Sequence, residues 1–307
     1  MDVTAPNHAA PLSTWVSLDV QVKEYSDLPR RDWQEFWDAV SLPARRELIV
    51  RQSVLPAPTA VAEVMPLMGR DARVRWTEQD LWVDEALHLK LGGAVNVLTL
   101  GQDDVPADAL ALAMTELHRA GGWVPLHACV VARAGHAVAI TGPSGAGKST
   151  ALLRLLQEGY DVIAEDRSFW HAPTGRIVGM DRTLRAYTRS LELFAPAWLP
   201  RLPLAQDQKG KWLLPLEELR SASDGPATLR RVLLLGAPST LERGACVRSV
   251  WEATGRPLLR QGLQGTQAGV HQLIHQVGIQ GVDRETAMTA VRAILQQDSQ
   301  IEEDASD

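Results

Sequence analysis

Several groups of residues in this sequence combine types and spacings that could do chemistry. The most specific is Gly142-Pro143-Ser144-Gly145-Ala146-Gly147-Lys148-Ser149-Thr150, which follows the apolar run His136–Thr141 and leads into a helical pattern. A strand, a glycine-rich loop and a helix start in that order read as a P-loop. The glycines let backbone N–H groups turn inward around phosphate oxygens, and the helix N-terminus adds the positive end of its dipole. Lys148 would then reach the β- and γ-phosphates of ATP, and the Ser149 hydroxyl would ligate the Mg²⁺ that bridges them. A glycine-rich structural turn is the alternative reading of the same residues.

The second group is Glu165-Asp166, directly after the short apolar run Tyr160–Ala164. Phosphoryl transfer needs an acid to help hold Mg²⁺ and another to accept the proton of the attacking hydroxyl. Neighbouring residues on a strand point to opposite sides, so the pair could divide these tasks between them. Solvated acids at a strand end are the simpler reading. His127 lies upstream on an apolar strand, either as a satisfied core histidine or as a member of the same site. Arg182, Arg185 and Arg189 share one face if their segment is helical and could clamp phosphates, or simply face solvent. Lys209 and Lys211 form a second basic spot. His271 and His275 stand at i, i+4 without the glutamate of a zinc-protease motif, so a helical reading without metal is preferred.

These residues need elements to position them. The patterns predict strands over 123–133 and 136–141, a helix from Gly147 to about Glu158, and a strand over 160–164, giving a β-α-β unit whose two strands are parallel and end on one edge of a sheet. Arg231–Gly236 reads as a further apolar strand without a carboxylate at its end, and Gly265–Leu295 as one or two helices. Upstream, Trp15–Val22 alternates as a strand, Arg31–Val40 spaces its aromatics as a helix, and three strands between Ala72 and Leu100 suggest a small antiparallel sheet. Trp33, Trp37, Trp76 and Trp82 there could line a peptide-docking surface, although tryptophans at these spacings usually belong to a core. A helix over Ala109–Ala120, ending at Gly121-Gly122, connects the two parts.

Composition narrows the classes. The chain of 307 residues carries a formal charge of −6, which offers no basic field for nucleic acid or an anionic membrane. Its two cysteines, Cys129 and Cys246, do not form a disulfide framework and fit a reducing compartment. No apolar run approaches membrane-spanning length and Met1–Pro6 has no leader pattern, so a cytoplasmic location is expected. Residues 296–307 are acidic and polar and are expected to be a disordered tail.

Taken together, Leu126–Val131, the loop Gly142–Ser149 and Val162-Ile163-Ala164-Glu165-Asp166 resemble, in order and spacing, the C-terminal domain of HPr kinase/phosphorylase and its related bacterial serine kinases. The likeness covers roughly residues 120 to 195. It implies an α/β protein with a P-loop kinase core of the HPr kinase/phosphoenolpyruvate carboxykinase type over 102–295, preceded by a smaller β-rich (α+β) accessory or substrate-docking domain over 1–101. It also implies ATP and Mg²⁺ as cofactors, Glu165 as the proton-accepting acid, Asp166 as its partner beside Ser149 at the metal, and His127 as support for Asp166. The acceptor implied is a serine on a peptide or small protein, and homo-oligomerisation stays open. Two departures are visible. The family's usual Asp-Asp pair is Glu165-Asp166 here, and the loop rich in Glu, Arg and Gly that should follow is not recognisable between Arg182 and Pro200. A kinase of a small metabolite and a nucleotide-binding switch are the alternatives.

Overall fold

The computed structural model describes residues 10–25, 41–101, 104–201, 205–207, 209–219, 226–240 and 242–304. The chain is mixed α/β and divides into two compact units, Met1–Gly121 with Pro257–Thr266 and Gly122–Arg256 with Gln267–Asp307. The helix Ala107–Ala120 (α1) therefore groups with the first unit, and a short C-terminal segment joins it.

The first unit is built on a seven-stranded sheet, in spatial order β1 (Ser13–Glu24), β2 (Ser41–Gln52), β7 (Val95–Leu100), β6 (Leu87–Lys90), β5 (Asp80–Val83), β4 (Arg70–Trp76) and β3 (Glu63–Leu67). Strands β1, β2 and β7 pair in parallel, while β7 through β3 form an antiparallel meander. The antiparallel sheet expected over Ala72–Leu100 is present as β4 through β7, and β2 and β1 extend it in parallel. The segment after Ala72 folds as four strands, because Asp84 at positive φ turns the chain between Val83 and Leu87. Strands β2 and β3 were not foreseen, and the helix expected over Arg31–Val40, with Trp33 and Trp37, lies outside the described residues. Trp82 is buried, stacks on His88 at 4.7 Å between ring centroids and donates Nε1–H to the Pro56 carbonyl at 3.0 Å. It is a core residue, not part of a docking face.

The second unit has an eight-stranded sheet, ordered β11 (Asp161–Ala164), β9 (Cys129–Arg133), β10 (His136–Thr141), β16 (Ala227–Leu235), β13 (Arg176–Gly179), β12 (Arg167–His171) and β8 (Trp123–His127), with β17 (Ile279–Val282) also paired to β16. Strands β10 and β16 are parallel, and β9 runs antiparallel to both β10 and β11. So β10 and β11 are parallel as expected, with one strand between them. Residues 123–133, read as one strand, are two: the chain breaks at Ala128 so that β8 pairs β12 while β9 pairs β10. Both halves are apolar, and alternation alone could not reveal the break.

Alternate residues of the central strands feed opposite cores. Val138, Ile140, Leu233 and Leu235 pack with Leu152 and Leu155 of α2 (Lys148–Gln157) and Val291 of α6 (Ala287–Asp304). Ala137, Ala139, Val232 and Leu234 pack with Val250 of α4 (Arg243–Thr254). A sheet covered on both faces explains why His136–Thr141 is buried throughout. Truncating a fully buried leucine such as Leu152 costs about 2–5 kcal/mol. Packing of this size fixes where α2 begins.

Three further expectations change. Residues 182–186 contain the strand β14 (Thr183–Ala186), paired with β15 (Trp212–Pro215), and only Arg189 lies on a helix, α3 (Thr188–Phe194). The stretch 265–295 contains β17 between α5 (Arg260–Gln272) and α6. The segment from Gln296, read as a disordered tail, continues α6 to Asp304. Among the described residues no helix is long and apolar enough to cross a membrane.

Candidate functional site

The site is assembled at the ends of β10 and β11 in the second unit. Gly142 leaves β10 where a side chain would not fit, because a Cβ there would stand 2.7 Å from the Leu235 carbonyl oxygen on β16. Gly147, at φ 108°, turns the chain into α2 and gives the helix no side-chain cap. The N–H groups of Ser144, Gly145 and Gly147 have no acceptor among the described residues. Exposed donors converging on an uncapped helix start form a site for an anion. The Lys148 ammonium lies against the same loop, donating to the Gly142 carbonyl at 2.8 Å and the Pro143 carbonyl at 3.4 Å, with no carboxylate partner among the described residues. These features fit a polyphosphate.

The outer side of the loop is held by Arg284, which follows β17. Its Nε donates to the Ala146 carbonyl at 2.7 Å and its Nη2 to the Gly145 carbonyl at 2.7 Å. With these carbonyls drawn outward, the loop's N–H groups are left facing its concave side. Sequence reasoning missed Arg284, since the strand that delivers it was hidden in a helical pattern.

Glu165 and Asp166 leave β11 beside the loop, as expected, but they do not diverge. Ser149 Oγ donates to Glu165 Oε1 at 2.8 Å, and Arg185 reaches Glu165 Oε2 through Nε at 3.1 Å and Nη2 at 2.9 Å. The same Nη2 lies 3.3 Å from Asp166 Oδ2, and His127 Nε2 lies 3.2 Å from Asp166 Oδ1. The expected pairing of Ser149 with Asp166 is therefore replaced by Ser149 with Glu165. The reason is Asp181, whose Oδ2 accepts the backbone N–H groups of Glu165, Asp166 and Arg167 at 2.9, 2.7 and 2.8 Å. Gathering three successive N–H groups on one oxygen ends the extended backbone and brings both carboxylates to one guanidinium. Asp181 carries no sequence signal, for it lies in the loop between β13 and β14.

The electrostatics follow the burial. The Glu165 side chain is only 5% exposed, Asp166 27%, Arg185 40% and His127 53%. Burial works against the Arg185 charge, but Glu165, then Asp166 and Asp181, more than offset it and hold the guanidinium above its ordinary value. The Cys129 thiol is pushed well up by burial and by the Glu165 charge, with Lys148 opposing. It stays a neutral donor to the Glu165 carbonyl at 2.8 Å.

Of the other expected groups, only Arg185 of the arginine trio joins the site; Arg182 and Arg189 are exposed. Lys211 lies over the Tyr187 ring at 5.2 Å, and the amides of Lys209 and Lys211 both donate to Asp207. The rings of His271 and His275 lie 4.4 Å apart and tilted to one another, and His275 accepts from Arg243 at 2.9 Å. Among the described residues no three His, Cys, Asp or Glu side chains form a ready cage for a metal ion. A hard cation at this site would meet Ser149 and Glu165, with a ligand's own oxygens completing its shell. Comparison with models of known protein families finds no match, and comparison with curated proteins finds none either.

Proposed function

We propose that the chain is an ATP-dependent kinase with a P-loop core related to HPr kinase, transferring the γ-phosphoryl group to a serine hydroxyl of a peptide or small protein in the cytoplasm. The observation that carries this reading is the hydrogen bond from Ser149, at the head of the glycine loop's helix, to Glu165, which Arg185 links onward to Asp166 and His127. A phosphate cradle alone would serve many nucleotide-binding proteins. A cradle joined to two carboxylates and a histidine also provides for activating an acceptor.

Mg-ATP would supply the phosphoryl group and the charge neutralisation on its leaving oxygens. The loop N–H groups and Lys148 bind and orient the phosphates, while Ser149 and Glu165 face the metal side. Asp166, less buried and next to His127, is the better placed carboxylate to take the proton of the incoming hydroxyl, with His127 holding its orientation. These roles exchange the two acids relative to the family resemblance, following the contacts each makes. Arg185 restrains both carboxylates and lowers their mutual repulsion.

The reading is tested with wild-type protein and Lys148→Ala, using nucleotide titration and mass spectrometry of labelled products in native lysate. The expected result is Mg-ATP binding and phosphoserine on a protein or peptide, with Lys148→Ala losing a factor of about 10² to 10³ in turnover. A phosphorylated metabolite, or hydrolysis without any acceptor, would overturn the protein-serine assignment. Near wild-type turnover of Lys148→Ala would overturn the phosphate cradle itself.

A further inference from the structure

Glu165 turns its two carboxylate oxygens to different partners. Oε1 accepts from Ser149 Oγ at 2.8 Å, whereas Oε2 accepts from Arg185 through Nε at 3.1 Å and Nη2 at 2.9 Å. The same Nη2 reaches Asp166 Oδ2 at 3.3 Å, so one nitrogen bridges both carboxylates through the Glu165 oxygen that Ser149 leaves free. Two-metal sites for phosphoryl transfer set a pair of positive centres about 3.5–4 Å apart, one toward the attacking oxygen and one toward the leaving oxygen. Glu165 has a place for such a pair, one centre on each oxygen. Ser149 Oγ and Glu165 Oε1 are separated by 2.8 Å, close to the spacing of neighbouring ligands around a hard cation with bonds of about 2.1 Å. The other place is taken by the guanidinium.

The fold fixes that guanidinium. Leu184 and Ala186, its neighbours on β14, are buried in the core, so Arg185 points to the opposite side, and β15 holds the register by pairing Leu213 with Arg185. Among the described residues Arg185 is the one cation in contact with both acids: Lys148 is held on the loop carbonyls, Arg167 reaches Asp181, and His127 touches Asp166 alone. Without it two carboxylates would share a site with no charge between them, a repulsion that a divalent ion relieves. The planar fork of an arginine serves both acids at once, and its charge is permanent.

We infer that Arg185 fills the position of a second divalent cation between Glu165 and Asp166, so that this site works with a single metal ion. The inference rests on the kinase reading and sets the metal requirement of that site. Ser149 and Glu165 Oε1 face the one metal, while Arg185 stays on Glu165 Oε2 and keeps Asp166 beside it. Removing the guanidinium frees Glu165 Oε2 and Asp166 Oδ2 together, and these two oxygens then form a second cation site.

The test counts Mn²⁺ bound to the full chain with a non-hydrolysable ATP analogue, from the electron paramagnetic resonance signal of the free ion. The expected result is one ion per protein–nucleotide complex in the wild type and two in Arg185→Ala. The second ion should bind at least about tenfold tighter than any second ion on the wild type, because a unit positive charge in contact with both carboxylates is gone. Methylguanidinium added to Arg185→Ala should expel that ion and return the count to one, which a merely structural arginine would not cause. Arg185→Gln keeps much of the bulk without the charge; it should also bind two ions and replaces the alanine variant if that one unfolds. Two ions on the wild type, one ion on both neutral variants, or a second ion that methylguanidinium does not displace would overturn the inference and leave the kinase reading intact. Failure of the wild type to bind the nucleotide analogue would instead remove the phosphate cradle and this inference with it. Nucleotide titration of each variant separates loss of fold from a change in metal count.

Discussion

Each unit of the protein contains a nearly buried glutamate paired with an arginine, and the two pairs behave in opposite ways. In the first unit Glu116 is fully buried and Arg119 is 4% exposed. Glu116 Oε2 also accepts the N–H groups of Leu258 and Leu259 at 3.1 and 2.9 Å, and Arg119 donates to Thr266 at 3.1 Å. Burial pushes Glu116 up and Arg119 down, each opposed by its partner's charge. In the second unit Glu165 is as hidden, but Arg185 is 40% exposed and is held above its ordinary value. A pair sealed on every side does structural work, here tying residues 257–266 to α1. A pair with one wet side can exchange partners, which a catalytic carboxylate must do.

Substitutions can sharpen this contrast. The largest effect is expected for Asp166→Asn, which should leave Mg-ATP affinity near normal and lower turnover by a factor of about 10² to 10⁴, the usual worth of a positioned proton acceptor. Single-turnover kinetics beside nucleotide titration checks it, and equal loss of both would merge the two acids into one metal site. Next comes Glu116→Gln. It strands Arg119 in the interior and should destabilise by about 3–5 kcal/mol in denaturant unfolding, whereas adding Arg119→Met should recover much of the loss.

Glu165→Gln should do the reverse of Glu116→Gln, with little change in stability but Mg²⁺-dependent nucleotide affinity lowered about ten- to a hundredfold, measured by calorimetry with and without the metal. A large stability loss there would make the second pair structural as well.

The smallest effect concerns His118, in the sealed region. Burial, aided by Arg46 and opposed by Asp19, lowers its pKa from 6.5 to about 3, and its Nε2 lies 3.0 Å from Ser17 Oγ. Above pH 6.5 the ring is neutral in both states. As pH falls below that value the unfolded chain takes a proton that the folded state refuses until about pH 3, so stability declines across this window. At pH 5 the loss is about 2 kcal/mol, and His118→Gln should lack it when unfolding midpoints at pH 5 and 7.5 are compared. A pH dependence equal to wild type would place the titration elsewhere.

The legibility of the molecule follows the same division between local and distant causes. The sequence alone determined the Gly142–Thr150 loop, the strand before it, the helix after it and the arrival of Glu165-Asp166 at the neighbouring strand end. Each depends on residues within a dozen positions: glycines that tolerate positive φ, a 3.6-residue apolar stripe, and an apolar run closed by acids. Tertiary structure alone decided which carboxylate meets Ser149, because that is set by Asp181 gathering the amides of Glu165, Asp166 and Arg167, and by Arg185 arriving on a strand the arginine spacing had suggested was a helix. It also decided the break at Ala128, invisible where both faces of a strand are buried, and the placement of Arg284 on the loop from 138 residues away in sequence. Spacing along the chain encodes backbone periodicity. Which side chains finally meet depends on how the sheet orders its strands, and no local pattern carries that information.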